Sequence, residues 1–157
     1  MKKMFVLVAI AVATLSAAET AGARTDTRAD AQTEVATTPP AALTVRTTRF
    51  GRMLFDGRGR ALYAFTRDRR GGPSRCYGAC AAAWPVYFAK GRLNAGTGVR
   101  QSLIRTTRRR DGRLQVTYNG WPLYYYAHER AGQVLCQDVD GFGGTWLIVG
   151  PNGQLVR

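Results

Sequence analysis

Cys76, Cys80, Cys136 and the single His128 are the residues whose types could bind a metal or carry redox chemistry. Three thiolates and an imidazole would make a legitimate zinc shell. Two features argue against it. The three-residue gap in Cys76-Tyr-Gly-Ala-Cys80 is loose, and an exported chain meets an oxidising compartment in which thiols pair. Cys76 and Cys80 are therefore expected to form a disulfide, with no metal and no cofactor. Residues four apart on a regular helix hold their Cβ atoms ~5–6 Å apart, whereas a disulfide needs ~3.5–4.5 Å. The pair closes only if the backbone around Gly78 is irregular, which glycine permits. Cys136 is then left over as a buried thiol, as the link in a dimer, or as an alternative partner of Cys76 or Cys80. Covalent haem attachment is excluded, because Ala81 and not His follows Cys80.

A second constellation joins aromatics to an acid, and it occurs twice. Gly59-Arg-Ala-Leu-Tyr-Ala-Phe-Thr-Arg-Asp68 returns sixty-one residues later as Gly120-Trp-Pro-Leu-Tyr-Tyr-Tyr-Ala-His-Glu129. In a strand, Tyr63 and Phe65 share one face and Leu62 and Ala64 the other, with Tyr124 and Tyr126 repeating the aromatic pair. Asp68 and Glu129 follow where each strand should turn. An aromatic platform beside an acid suits a cation or a sugar. The repetition favours a structural role instead, with the aromatics in a core and each acid accepting from turn N–H groups or a Tyr hydroxyl. No Ser lies in a nucleophile elbow and no acids are marked as an acid–base couple, so a non-enzymatic chain is expected. Asp138-Val-Asp140-Gly141 fails as a calcium loop, because position twelve is Val149 rather than Glu. The Gly141–Gly144 run lacks the Lys and helix of a phosphate loop.

Charge is the third feature. Twenty-three Lys and Arg face ten Asp and Glu, for a net charge of +13. Twenty of the bases are Arg, a bias that GC-rich codons also produce. The densest run is Arg105, Arg108, Arg109, Arg110 and Arg113; Arg67, Arg69 and Arg70 form another. These are candidates for contact with anionic envelope polymers. No DNA- or RNA-binding motif is present, so intracellular nucleic acid is not an expected partner.

The elements that must position these residues begin after an export signal. Lys2 and Lys3, the apolar run Phe5–Leu15 and the small residues up to Ala23 have the layout of a signal peptide over 1–23. Cleavage after Ala18 or Ala23 satisfies the small-residue rule. No Cys lies near either site, so the chain is expected to be periplasmic or extracellular and not lipid-anchored. Residues 24–43 have no aromatic and no apolar period, and read as a disordered linker. Residues 44–157 read as one small, mainly β domain. Strands are expected over Leu62–Phe65, Arg113–Tyr118, Leu123–Tyr126, Trp146–Val149 and Gln154–Val156. One short helix is expected near 79–84, limited by Pro85. The repeat extends to Gly51 with Gly112, Phe55 with Val116, Cys76 with Cys136 and Trp84 with Trp146. Two pseudo-symmetric copies follow, about 45–90 and 104–157, each a hairpin, a loop and a Trp-led strand. Neither can bury its apolar face alone.

Tyr63-x-Phe65-x-x-Asp68, Cys76-x-Gly78-x-Cys80-Ala81, Trp84-Pro85, Gln115-Val-Thr-Tyr-Asn-Gly-Trp-Pro-Leu-Tyr124 and Gly141-Phe-Gly-Gly-Thr-Trp146 occur in that order. Together they resemble the bacterial secreted repeat and predicted lipoprotein family, known by its Yx(F/W/Y)xxD motif. The resemblance spans about Thr44 to Gly153 and implies an envelope or secreted protein, without implying a reaction. Three positions depart from the family's pattern: no lipidation Cys is found, Glu129 replaces Asp, and Cys136 stands where Gly is usual. The expected function is an exported, non-enzymatic binding or structural module. The alternatives are a polyanion binder using its Arg clusters and a metal or redox protein using the three Cys and His128.

Overall fold

The computed structural model describes residues 42–157. The expected signal peptide and nearly all of the expected linker lie outside them. Eight strands and one short helix are described: β1 Leu43–Thr48, β2 Gly51–Asp56, β3 Tyr63–Phe65, α1 Ala79–Ala83, β4 Ile104–Arg108, β5 Leu114–Tyr118, β6 Trp121–Pro122, β7 Val139–Gly141 and β8 Gly144–Ile148. The architecture is mainly β, in three small antiparallel sheets ordered β1-β2, β3-β8-β7 and β4-β5-β6. Leu43, assigned by composition to the linker, opens β1 and is fully buried.

The two copies are related by internal pseudo-symmetry. Each starts with a hairpin, β1–β2 in the first and β4–β5 in the second, and Leu43 and Ile104 open their first strands sixty-one residues apart. The copies meet at their equivalent tyrosines. Tyr63 N–H donates to Tyr124 C=O and Tyr124 N–H donates to Tyr63 C=O, both at 2.9 Å. Such a reciprocal pair is the closed ring of an antiparallel ladder. The first copy also lends a strand to the second's sheet: β3 pairs with β8, Phe65 opposite Trp146.

Alternation along β3 divides the interior in two. Tyr63 and Phe65 join one apolar cluster with Met53, Phe55, Trp84, Tyr124, Trp146 and the three Cys. Leu62 and Ala64 join the other, with Leu43, Leu54, Val116, Tyr118 and Leu123. The period-two pattern of this segment therefore separates two cores rather than core from solvent.

The second copy departs from the expected strands. Leu123–Tyr126 is not a strand; only Tyr124 bridges, to Tyr63 and Val86. The hydrogen bonds explain this: residues 83–87 run antiparallel alongside, with Tyr87 N–H donating to Leu123 C=O, Tyr125 N–H to Pro85 C=O and Ala127 N–H to Ala83 C=O, while the Leu123 and Tyr124 N–H groups turn to Val116 and Tyr63. Pro122 and Pro85 remove donors that a continuous ladder would need. Gln154–Val156 likewise reduces to one bridge, Val149 with Leu155. Among the described residues, no helix is long and apolar enough to cross a membrane.

Candidate functional site

The repeated aromatic–acid motif is completed across the two copies. Tyr124 Oη of the second copy donates to Asp68 Oδ2 of the first at 2.6 Å. Tyr63 Oη of the first donates to Glu129 Oε1 of the second at 2.6 Å. Each acid also closes its own loop, Asp68 Oδ1 accepting from Arg75 N–H at 2.7 Å and Glu129 Oε1 from Leu135 N–H at 2.5 Å. Asp68 spans seven residues to its donor and Glu129 six. The extra methylene of Glu129 matches a loop one residue shorter. Both acids are nearly fully buried. Burial pushes the Asp68 carboxyl up, against the opposing pull of the Tyr124 hydroxyl, the Arg75 N–H and the Arg109 charge.

The tryptophans form the centre of the same junction. Trp84 and Trp146 stack with ring centroids 3.9 Å apart and planes 3° from parallel. Phe65 stacks on Trp146 at 4.2 Å, and Tyr126 packs on Trp84 at 5.0 Å. Tyr63 meets Trp84 edge-on, as Tyr124 meets Trp146. The Trp84–Trp146, Phe65–Trp146 and Trp84–Tyr126 pairs join one copy to the other, and the two edge-on pairs brace each Trp against the motif tyrosine of its own copy. The platform read from the sequence is thus a closed stack, with Tyr126 only part-buried at its end.

Cys76 and Cys80 form a disulfide with Cα atoms 5.3 Å apart. The geometry is open to them because α1 begins only at Ala79, and Gly78 before it takes φ 55°, a left-handed conformation suited to glycine. Cys136 is a free, buried thiol, 8% exposed. Burial and then the neighbouring Glu129 charge push it up, so it is held as a thiol rather than a thiolate. An intermolecular disulfide at Cys136 would first require its loop to open. Exposed His128 rests edge-on against Tyr126, 5.4 Å between centroids. The zinc shell is not assembled: two of its thiols are bonded to each other, and no group of three or more His, Cys, Asp or Glu converges among the described residues.

The fold brings the two basic runs to one side. The loop carrying Arg67, Arg69, Arg70 and Arg75 lies along the second copy's hairpin. Arg70 Nε donates to Asn119 C=O at 2.8 Å, Gly71 N–H to Gly120 C=O at 2.8 Å, and Arg110 N–H to Tyr77 Oη at 3.3 Å. Arg105, Arg108, Arg110 and Arg113 are exposed. Arg109 points inward and is 5% exposed. Its guanidinium donates to Ser74 Oγ, Gln115 Oε1 and Cys76 C=O at 2.7–2.8 Å, and so ties the disulfide loop to β5. Ser74 continues this chain to Tyr124 at 2.7 Å and so to Asp68.

A shallow cleft of about 380 Å³ opens beside the disulfide, lined by Phe65, Arg67, Arg75, Tyr77, Cys80 and Phe142. Arg75, Tyr77 and Phe142 escaped the sequence reading. The Phe142-Gly143 turn was its one available signal, since a two-residue hairpin turn of this kind normally carries Asn-Gly.

The family described as "Secreted repeat of unknown function" matches residues 44–87 and 105–149, two copies in one chain. No curated protein and no solved structure matches.

Proposed function

The chain belongs to this family of secreted repeats of unknown function, and from that premise we propose that it is an exported, non-enzymatic module binding anionic polymers at the cell envelope. Loop 66–78 and the β4–β5 hairpin supply the contact surface, through Arg67, Arg69, Arg70, Arg75, Arg105, Arg108, Arg110 and Arg113. The observation that carries this reading is how charge is sorted between interior and surface. Nineteen Arg and Lys stand against six acids over residues 42–157. Three of those acids, Asp56, Asp68 and Glu129, are buried and occupied by internal hydrogen bonds. Only Asp111, Asp138 and Asp140 remain outside, facing sixteen exposed Arg and Lys90. A single salt bridge forms among the described residues, Arg113 with Asp111 at 2.6 Å. A codon bias accounts for Arg in place of Lys. It does not account for a surface nearly stripped of acids. Such a surface attracts polyanions over roughly a Debye length, ~8 Å at physiological salt.

Binding of this kind releases counterions, so affinity falls linearly with the logarithm of salt concentration. The test is retention on immobilised heparin and on lipopolysaccharide across a salt series. Arg108→Gln and Arg110→Gln should each shallow the slope by ~1. Retention independent of salt, or unchanged in the double variant, would refute the reading.

A further inference from the structure

The turn between β7 and β8 carries an unusual residue. Gly141 pairs with Gly144, leaving Phe142 (φ 54°) and Gly143 (φ 79°) as a two-residue turn with both φ positive. The same turn joins β5 to β6, where Asn119 (φ 49°) and Gly120 (φ 82°) occupy it. Asn tolerates this conformation; a bulky aromatic is disfavoured there. Phe142 gains little from burial to offset the strain, since it is 43% exposed. Its backbone is held in place by Arg67, whose Nη1 donates to the Phe142 carbonyl at 3.1 Å. Phe142 lines the cleft that Arg67 and Arg75 also line, with Phe65, Ala79 and Cys80 supplying the rest of its apolar lining. Strained, exposed residues of this kind gather where a ligand is held.

We propose that this cleft is a subsite for one acidic sugar unit of an envelope polysaccharide, with Phe142 packing on the apolar face of the ring and Arg67 and Arg75 taking its carboxylate. The proposal rests on the polyanion reading and gives it a specific contact. The volume, about 380 Å³, lies at the small end of ligand clefts and suits a single ring with its substituents. A single-stranded nucleic acid is the competing ligand, for bases also stack on aromatics. Proteins that track such strands present aromatics in succession, whereas Phe142 is the one strongly exposed aromatic lining this cleft.

The test uses the full exported chain and titrates four probes: a short oligogalacturonate, its methyl ester, a single-stranded DNA oligomer of matched charge, and immobilised heparin. Phe142→Asn restores the residue that the turn prefers, so the variant should keep or raise the thermal midpoint. It should bind oligogalacturonate about tenfold more weakly, the scale of one aromatic contact, with heparin retention unchanged. Arg67→Gln and Arg75→Gln should each weaken oligogalacturonate by a similar factor, and the methyl ester should bind wild type about tenfold less tightly. Equal affinity of Phe142→Asn and wild type for oligogalacturonate would overturn the proposal. So would a dependence on Phe142 seen with DNA alone. Heparin retention without oligogalacturonate binding sinks the cleft and leaves the surface reading standing; absence of salt-dependent heparin retention sinks the surface reading itself.

Discussion

At the scale of single residues, the motif acids and tyrosines act as reciprocal latches between the copies. Removing the Tyr124 hydroxyl leaves Asp68 Oδ2 without its donor in a buried site. Tyr124→Phe should therefore cost about 1–3 kcal/mol of unfolding free energy. The pair with Asp68→Asn should couple by about 0.5–3 kcal/mol in a double-mutant cycle read by urea denaturation. Additive effects would mean that the two groups do not act together. The same burial sets a response to alkali. Desolvation pushes Tyr63, Tyr124 and Tyr125 far above the ordinary phenol value, with adjacent carboxylates adding to it, and pushes Tyr87 up to about 12. A raised folded-state value means that the native protein keeps protons the unfolded chain releases. Stability from these groups is therefore intact below pH ~10 and lost as pH climbs through the raised values, by up to ~1.4 kcal/mol per pH unit for each phenol. Phenolate absorbance from these tyrosines should appear only together with unfolding. A smooth titration of all seven near pH ~10 in folded protein would contradict this.

Among the elements, the Cys76–Cys80 loop shows what sequence reasoning reached and where it stopped. The need for an irregular backbone at Gly78 followed from Cβ separations alone, and the disulfide and short helix stand as expected. The loop's anchorage did not follow, because it depends on Arg109, which sits in a basic run and reads as surface. Its burial is set by Ser74, Gln115 and the Cys76 carbonyl, each thirty-odd or six residues away and unmarked by any local pattern. The same limit applies to Leu123–Tyr126. Its β-prone composition is plain, yet its N–H groups are divided among Val116, Tyr63 and Pro85, and Pro85 has no N–H to return. Because Arg109 and the buried sulfurs hold the loop independently, the disulfide should reinforce rather than define the fold. Cys80→Ser or reduction should lower stability by about 2 kcal/mol and preserve the near-ultraviolet circular dichroism of the Trp stack. Loss of that signal on reduction would assign the disulfide a larger role.

For the whole molecule, the repeat in the sequence is the feature that carried furthest, since periodicity alone required two copies packed together. What the period could not reveal is that the copies exchange their contacts. Both Tyr–acid bonds, the Tyr63–Tyr124 backbone pair, the β3–β8 pairing and the four-ring stack Phe65–Trp146–Trp84–Tyr126 all run between copies. Each aromatic contact contributes roughly 0.5–1.5 kcal/mol beyond its area, and a lone copy has none of the contacts in that stack. A lone copy is also small, and a core of that size rarely supplies more than ~3–5 kcal/mol. Fragments 42–98 and 99–157 should therefore each lack cooperative thermal unfolding. Mixed in equal amounts, they should recover it together with the Trp near-ultraviolet signal, with a midpoint that rises with concentration as expected for a bimolecular complex. The second fragment carries a free thiol at Cys136 and the first its own disulfide, so reassembly needs no new covalent bond. Cooperative unfolding of either fragment alone would mean that a single copy is a self-sufficient domain, and that the exchanged contacts merely decorate the junction.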